Sequence, residues 1–130
     1  MRVVAAIIVK DASVLICQRK VGQQYAGKWE FPGGKVEPGE ELRAALEREL
    51  REELAITATI GQEITRYEYT YPGRASIQIV FYKVGEFEGE PRNLIFEQIR
   101  WEKIENLHRY DFLDGDIDFV KNLTTGQIFD

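Results

Sequence analysis

The chain has 130 residues, of which 44% are apolar and 30% charged, with a formal net charge of −5. That length predicts one domain, residues 1–130, with a real core. The acidic balance argues against a nucleic-acid polymer as partner, because phosphate backbones bind clustered lysine and arginine.

A single cysteine, Cys17, leaves no internal disulfide and fits a reducing, cytoplasmic compartment. Cys17 lies in an apolar run and reads as a plain buried thiol. The run VVAAIIV at Val3–Val9 is too short to span a membrane or to be a signal core, and it meets Lys10 and Asp11 at once. It predicts a strand covered on both faces.

Asp11-Ala12-Ser13 predicts a turn, and Val14–Gln18 a second strand. Gly22–Gly27 reads as a loop, followed by the short aromatic piece Trp29-Glu30-Phe31, which Pro32-Gly33-Gly34 is expected to end. After Pro38-Gly39, the Leu, Ala, Glu and Arg content predicts a helix over Glu40–Leu54. Thr57–Tyr71 and Ala75–Val84 read as strands around a turn at Tyr71-Pro72-Gly73-Arg74. Gly85–Asn93 reads as a loop or an irregular strand extension, Ile99–Trp101 as a short strand, Glu102–Leu107 as a helical turn and Asp114–Leu123 as a helix. The sum predicts an α/β fold, an α/β/α sandwich around a mixed sheet.

On a wheel of about 100° per residue with Glu49 at zero, Leu42, Leu46, Leu50 and Leu54 fall at about 20°, 60°, 100° and 140°. Glu53 falls inside that apolar arc at about 40° and Glu52 beside it at about −60°, while Arg48 and Arg51 point away. Solvated Arg–Glu pairs account for Glu41, Glu47 and Arg43. They do not account for Glu49 and Glu53 on an apolar edge, where ionised groups are costly unless paired or coordinated. A hard divalent cation with oxygen ligands, Mg²⁺ or Mn²⁺, would hold both ionised.

Gly34, Glu40, the run Arg48-Glu49-Leu50-Arg51-Glu52-Glu53 and Ile56 resemble, at their spacing, the signature of the Nudix family. Ala55 stands where that signature has glycine, which leaves the helix end open but not the carboxylates. The strands VVAAIIV and VLICQRK, with AGKWEFPGGKVE and the Arg100-Trp101 pair, resemble its MutT-type branch. The resemblance implies an α/β/α sandwich that hydrolyses a nucleoside diphosphate linked to another group, with Mg²⁺ or Mn²⁺. It implies metal binding by Glu49, Glu52 and Glu53 and by the carbonyl of Gly33 or Gly34, with Glu49 as general base. Arg48 would orient the glutamates, Glu40 support them, Arg19 contact phosphate and Lys35 join the substrate site. Glu97 is the candidate for a further acidic ligand from a distant loop.

The implied substrate is a nucleoside triphosphate, cleaved to a monophosphate and pyrophosphate, with the base left open between an oxidised purine and cytidine. Asp116 aligns with a base-recognising position, and its carboxyl can accept a hydrogen bond or, protonated, donate one. Phe31, Tyr71 and Phe81 are candidates to stack a base, each also at home in a core. His108 reads as a loop residue. The rivals are an ADP-ribose or dinucleoside polyphosphate hydrolase of the same family, for which no long insertion is seen, and a non-catalytic nucleotide-binding module. The oligomeric state, monomer or dimer, stays open.

Overall fold

An unbroken run of branched aliphatic residues forms a strand only where both faces are covered, and the fold grows outward from one such run. The computed structural model describes residues 1–124. In chain order the elements are β1 (Arg2–Lys10), β2 (Ser13–Gln18), β3 (Trp29–Glu30), β4 (Gly33–Lys35), α1 (Leu42–Leu54), β5 (Thr57–Thr59), β6 (Glu63–Tyr69), β7 (Ile77–Val84), β8 (Glu86–Glu88), β9 (Gln98–Lys103) and α2 (Ile117–Thr124). Two 3-10 turns, Ile104–Arg109 and Asp114–Asp116, precede α2.

β1 is the axis. It runs parallel to β7, with Val4 opposite Val80 and Ile8 opposite Val84, and antiparallel to β2 and β4. β6 extends the sheet beyond β7, while β3 and β9 flank β2. Alternation then sorts the side chains, since successive residues of a strand point to opposite faces. Ala6, Ile8, Cys17 and Val80 pack with Leu46, Leu50 and Leu54 of α1. Ile7, Ile16 and Phe81 pack on the other face with Phe119, Val120 and Leu123 of α2. The expected α/β/α sandwich around a mixed sheet is what forms. Among the described residues no helix is long and apolar enough to cross a membrane.

Several elements differ from their sequence expectations. Pro32-Gly33-Gly34 does not end the extended chain: Gly33–Lys35 pairs with Val3–Ala5 as β4. The reason is proximity, because a Cβ on Gly33 would lie 2.0 Å from the Val4 carbonyl oxygen. Only a residue without a side chain lies this flat against β1. Thr57–Tyr71 is two strands, and the first, β5, pairs with β8 inside the stretch expected to be irregular. The strand around Trp101 runs on to Lys103 because it follows β2 over its whole length. Phe81 is fully buried and stacks on Phe119 at 4.0 Å between ring centroids, so it belongs to the core and not to a cleft mouth.

The helix end left open by Ala55 is now defined. Ala55 adopts the left-handed conformation, φ 57° and ψ 34°, and its N–H donates to the Arg51 carbonyl. That is the conformation glycine supplies without steric cost. Ala55→Gly is therefore expected to stabilise the fold by roughly 0.5–1 kcal/mol, the relief of strain exceeding the added entropy of the unfolded chain. The check is the urea midpoint at constant m-value, and a lowered midpoint would contradict the strain.

Candidate functional site

Arg48 does not point away from the glutamates. Its guanidinium turns back along α1 and becomes their common partner. It donates to Glu40 at 2.8 and 3.0 Å, to Glu49 at 3.0 Å, to Glu52 at 3.2 Å and to the Lys35 carbonyl at 3.2 Å. A wheel places only the Cα–Cβ direction, and arginine is long enough to reach across it. Glu40 is reached because the turn at Pro38-Gly39 brings it over the helix start, with its N–H on the Glu37 carbonyl at 3.0 Å. The Arg48 hydrogen bonds hold the Glu40 carboxyl down at about 2 and raise the Arg48 guanidinium further above its ordinary range.

Glu53 has no such cation. It is 8% exposed, and its carboxylate accepts the Gly33 N–H at 3.1 Å. Burial first, then the neighbouring Glu49, pushes its pKa up to about 9. Glu49 is also raised by burial, with Arg48 opposing. The two carboxyls are neighbours, and the charge of Glu49 adds to burial in raising Glu53. Gly34 makes room for this, since a Cβ there would lie 2.5 Å from the Glu49 Cδ. The pair is thus set against the two glycines, with burial holding Glu53 largely protonated at neutral pH.

That donor set fits a hard divalent cation: a buried and a half-buried carboxylate beside the backbone of Gly33-Gly34, a like-charge pair in which Arg48 reaches only Glu49. A cation would displace the Glu53 proton, so its affinity should rise with pH. The third carboxylate, Glu52, is more than half exposed and lies on Arg48 instead. Among the described residues no three acidic, histidine or cysteine side chains already converge on one point. Glu97 is exposed. Its backbone N–H holds the Gln18 carbonyl at 2.9 Å, and its side chain hydrogen-bonds none of the three glutamates.

Beside the carboxylates opens a cleft of about 440 Å³, with Gly33 and Gly34 as its shared rim. Arg19, Lys35, Phe31 and Asp116 all line it. Arg19 pairs with Glu30 at 3.1 Å and donates to the Gln24 carbonyl at 2.7 Å, so it braces the loop before β3. Lys35 is exposed at the rim. Phe31 is almost fully buried and stacks on Phe112 at 5.2 Å, offering the cleft little more than an edge. Tyr71 lines the cleft with Tyr25 against it at 5.2 Å. Asp116 is 8% exposed and pushed up to about 8, by burial and then by Glu30. His108 is exposed in the 3-10 turn and not in the cleft.

Sequence reasoning missed Glu30. Its own pKa is raised by burial, and its charge acts on both Glu53 and Asp116, joining the carboxylates to the cleft floor. A lone acid between Trp29 and Phe31 in an extended piece was the available signal, as alternation sends it to the face the aromatics avoid. The loop contributors Gln24 and Arg74 carried no signal of their own.

The NUDIX domain profile matches residues 1–123. The chain is 40% identical to the CTP pyrophosphohydrolase of Escherichia coli K12 over 119 residues, covering 92% of this chain and 87% of that one. It is 35% identical to the 8-oxo-dGTP diphosphatase of the same organism, over 79% of each. The solution structure of the E. coli ORF135 protein superposes with a TM-score of 0.85 at 38% identity, covering 95% of this chain and 88% of that one.

The protonated state of Asp116 has a consequence for stability. Its folded pKa lies above its unfolded one, so its contribution is complete below the unfolded pKa and is lost as pH rises through about 8. Across that window the group lowers stability by at most about 1.4 kcal/mol per pH unit. Asp116→Asn should remove this component, so its stability advantage over the parent grows between pH 5 and pH 8. Urea midpoints at three pH values test it, and parallel profiles would contradict the shift.

Proposed function

The chain belongs to the Nudix hydrolase family, and on that premise we propose that it cleaves nucleoside triphosphates to a monophosphate and pyrophosphate with Mg²⁺ or Mn²⁺. One observation carries the reading. Glu53 is buried and Glu49 half-buried against Gly33-Gly34, with Arg48 reaching only Glu49, at the rim of a cleft large enough for a nucleotide. The relatives' names, a CTP pyrophosphohydrolase and an 8-oxo-dGTP diphosphatase, support both bases considered, a cytosine and an oxidised purine.

Glu49, Glu52 and Glu53 with the carbonyl of Gly33 or Gly34 would hold the cation, and Glu97 would add a ligand from its loop. When bound, the divalent ion neutralises phosphate oxygens and acidifies water. Arg48 keeps the glutamates in one orientation, with Glu40 as its anchor. Glu49 accepts the proton of the attacking water as its oxygen bonds to phosphorus. The bond to the departing pyrophosphate breaks, and its charge meets Arg19 and Lys35 at the rim. Asp116 faces the base, and a carboxyl protonated near neutral pH donates as well as accepts. The residues act as one catalytic domain on free nucleotides in the cytoplasm, for which the charge of −5 is adequate because the cation accompanies the substrate.

A panel of CTP, dCTP, dGTP, 8-oxo-dGTP and ADP-ribose with Mg²⁺ should release pyrophosphate from a triphosphate, and EDTA should abolish it. Glu52→Gln and Glu53→Gln should each lower kcat by roughly a hundredfold or more while the fold survives. Orthophosphate as the product, or near-parental turnover in either variant at saturating Mg²⁺, would overturn the reading.

A further inference from the structure

The Asp116 carboxyl faces the cleft, and among the described residues no side chain donates a hydrogen bond to it. Its orientation is therefore set by the backbone that carries it. That backbone is held with unusual completeness. The Tyr67 hydroxyl donates to the Gly115 carbonyl at 2.6 Å, the Gly115 N–H donates to the Tyr71 hydroxyl oxygen at 2.9 Å, and the Asp116 N–H donates to the Leu113 carbonyl at 2.9 Å. The peptide plane entering Asp116 is thus fixed at both its carbonyl and its N–H. The fit is close, as a Cβ on Gly115 would lie 2.8 Å from the Tyr71 hydroxyl oxygen and 3.2 Å from the Ile79 Cδ1.

We propose that Tyr67 and Tyr71 are specificity-positioning residues, which grip Gly115 from two sides and so aim the Asp116 carboxyl at the base edge. The proposal rests on the reading of Asp116 as the base-recognising residue and deepens it. Tyr71 has a second attachment. Its ring meets Tyr25 at 5.2 Å, and Tyr25 holds a left-handed backbone, φ 59°, in the loop that also lines the cleft. A bulky residue in that region is strained and stays there only where its surroundings demand it. One phenol therefore ties the cleft loop and the Asp116 turn together. Burial keeps both phenols protonated, Tyr71 up at about 12, so each hydroxyl retains its proton throughout the working range.

The test is discrimination between bases, read as the ratio of kcat/KM for 8-oxo-dGTP over dGTP and for CTP over UTP. Asp116→Asn is the reference variant. Tyr67→Phe, Tyr71→Phe and Gly115→Ala remove a grip or displace it without touching the carboxyl. Each should lower the larger ratio by roughly three- to tenfold, the loss expected of one hydrogen bond. The change should appear in KM for the preferred nucleotide, with kcat of Tyr67→Phe and Gly115→Ala held. Parental ratios in the tyrosine variants while Asp116→Asn shifts them would sink the proposal and leave the base reading standing. An equal loss on all four nucleotides would mean a merely structural role, and it too would overturn the proposal. Unchanged ratios in Asp116→Asn would remove the base reading, and the proposal with it.

Discussion

Two carboxyls one helical turn apart, both turned into the protein, are the constraint around which this molecule is arranged. Glu49 and Glu53 cannot both be ionised in that place without a compensating charge. The structure answers with what a polypeptide has available. Arg48 is shared by Glu40, Glu49 and Glu52, the Gly33 N–H is turned to Glu53, and burial keeps Glu53 protonated near neutral pH. Arginine suits this position because its planar fork serves several oxygens at once, which a lysine ammonium does less well. The arrangement leaves one role unfilled by the chain itself, that of a further cation, and this gives the site its chemical character.

The rest of the fold serves that placement. α1 must lie close enough to β1 and β4 for glutamate side chains to touch backbone, and the two glycines of β4 permit it. Gly33 lies flush on β1, and Gly34 leaves the space that the Glu49 carboxylate occupies. The leucines of α1 supply the apolar contact that holds the helix in register, and Ala45, Leu46, Leu50 and Leu54 are fully buried. Local propensity, packing and polar satisfaction agree nearly everywhere, and they part company at Glu53, which is where functional sites are expected to break the rules.

Much of this was legible in the sequence because it rests on periodicity. The run Val3–Val9 fixed the central strand, and the leucine spacing in α1 placed Glu53 on the buried side. Arg48 was misplaced because a wheel cannot follow a side chain of its length. The strand through Gly33-Gly34 was missed because glycine has no side chain to alternate, and its pairing with β1 joins residues far apart in the chain, Gly33 with Ala5 and Gly34 with Val4. Glu30 escaped notice because its importance is electrostatic and arises only when Glu53 and Asp116 are brought to either side of it. Asp116 itself was found through a likeness to related chains, not through any pattern of its own.

The far end of α1 carries one more coupling. The Arg92 N–H takes the Leu54 carbonyl and the Leu94 N–H takes that of Glu53, so the incoming chain closes the helix in place of solvent. Asn93 staples that stretch by bonding both the N–H and the carbonyl of Phe96, and the next residue, Glu97, is pinned to Gln18. Glu53 and Glu97, far apart in the chain, are therefore tied through one run of hydrogen bonds. The segment from Arg92 to Glu97 thus joins the main chain of the buried acid to that of β2 at Gln18.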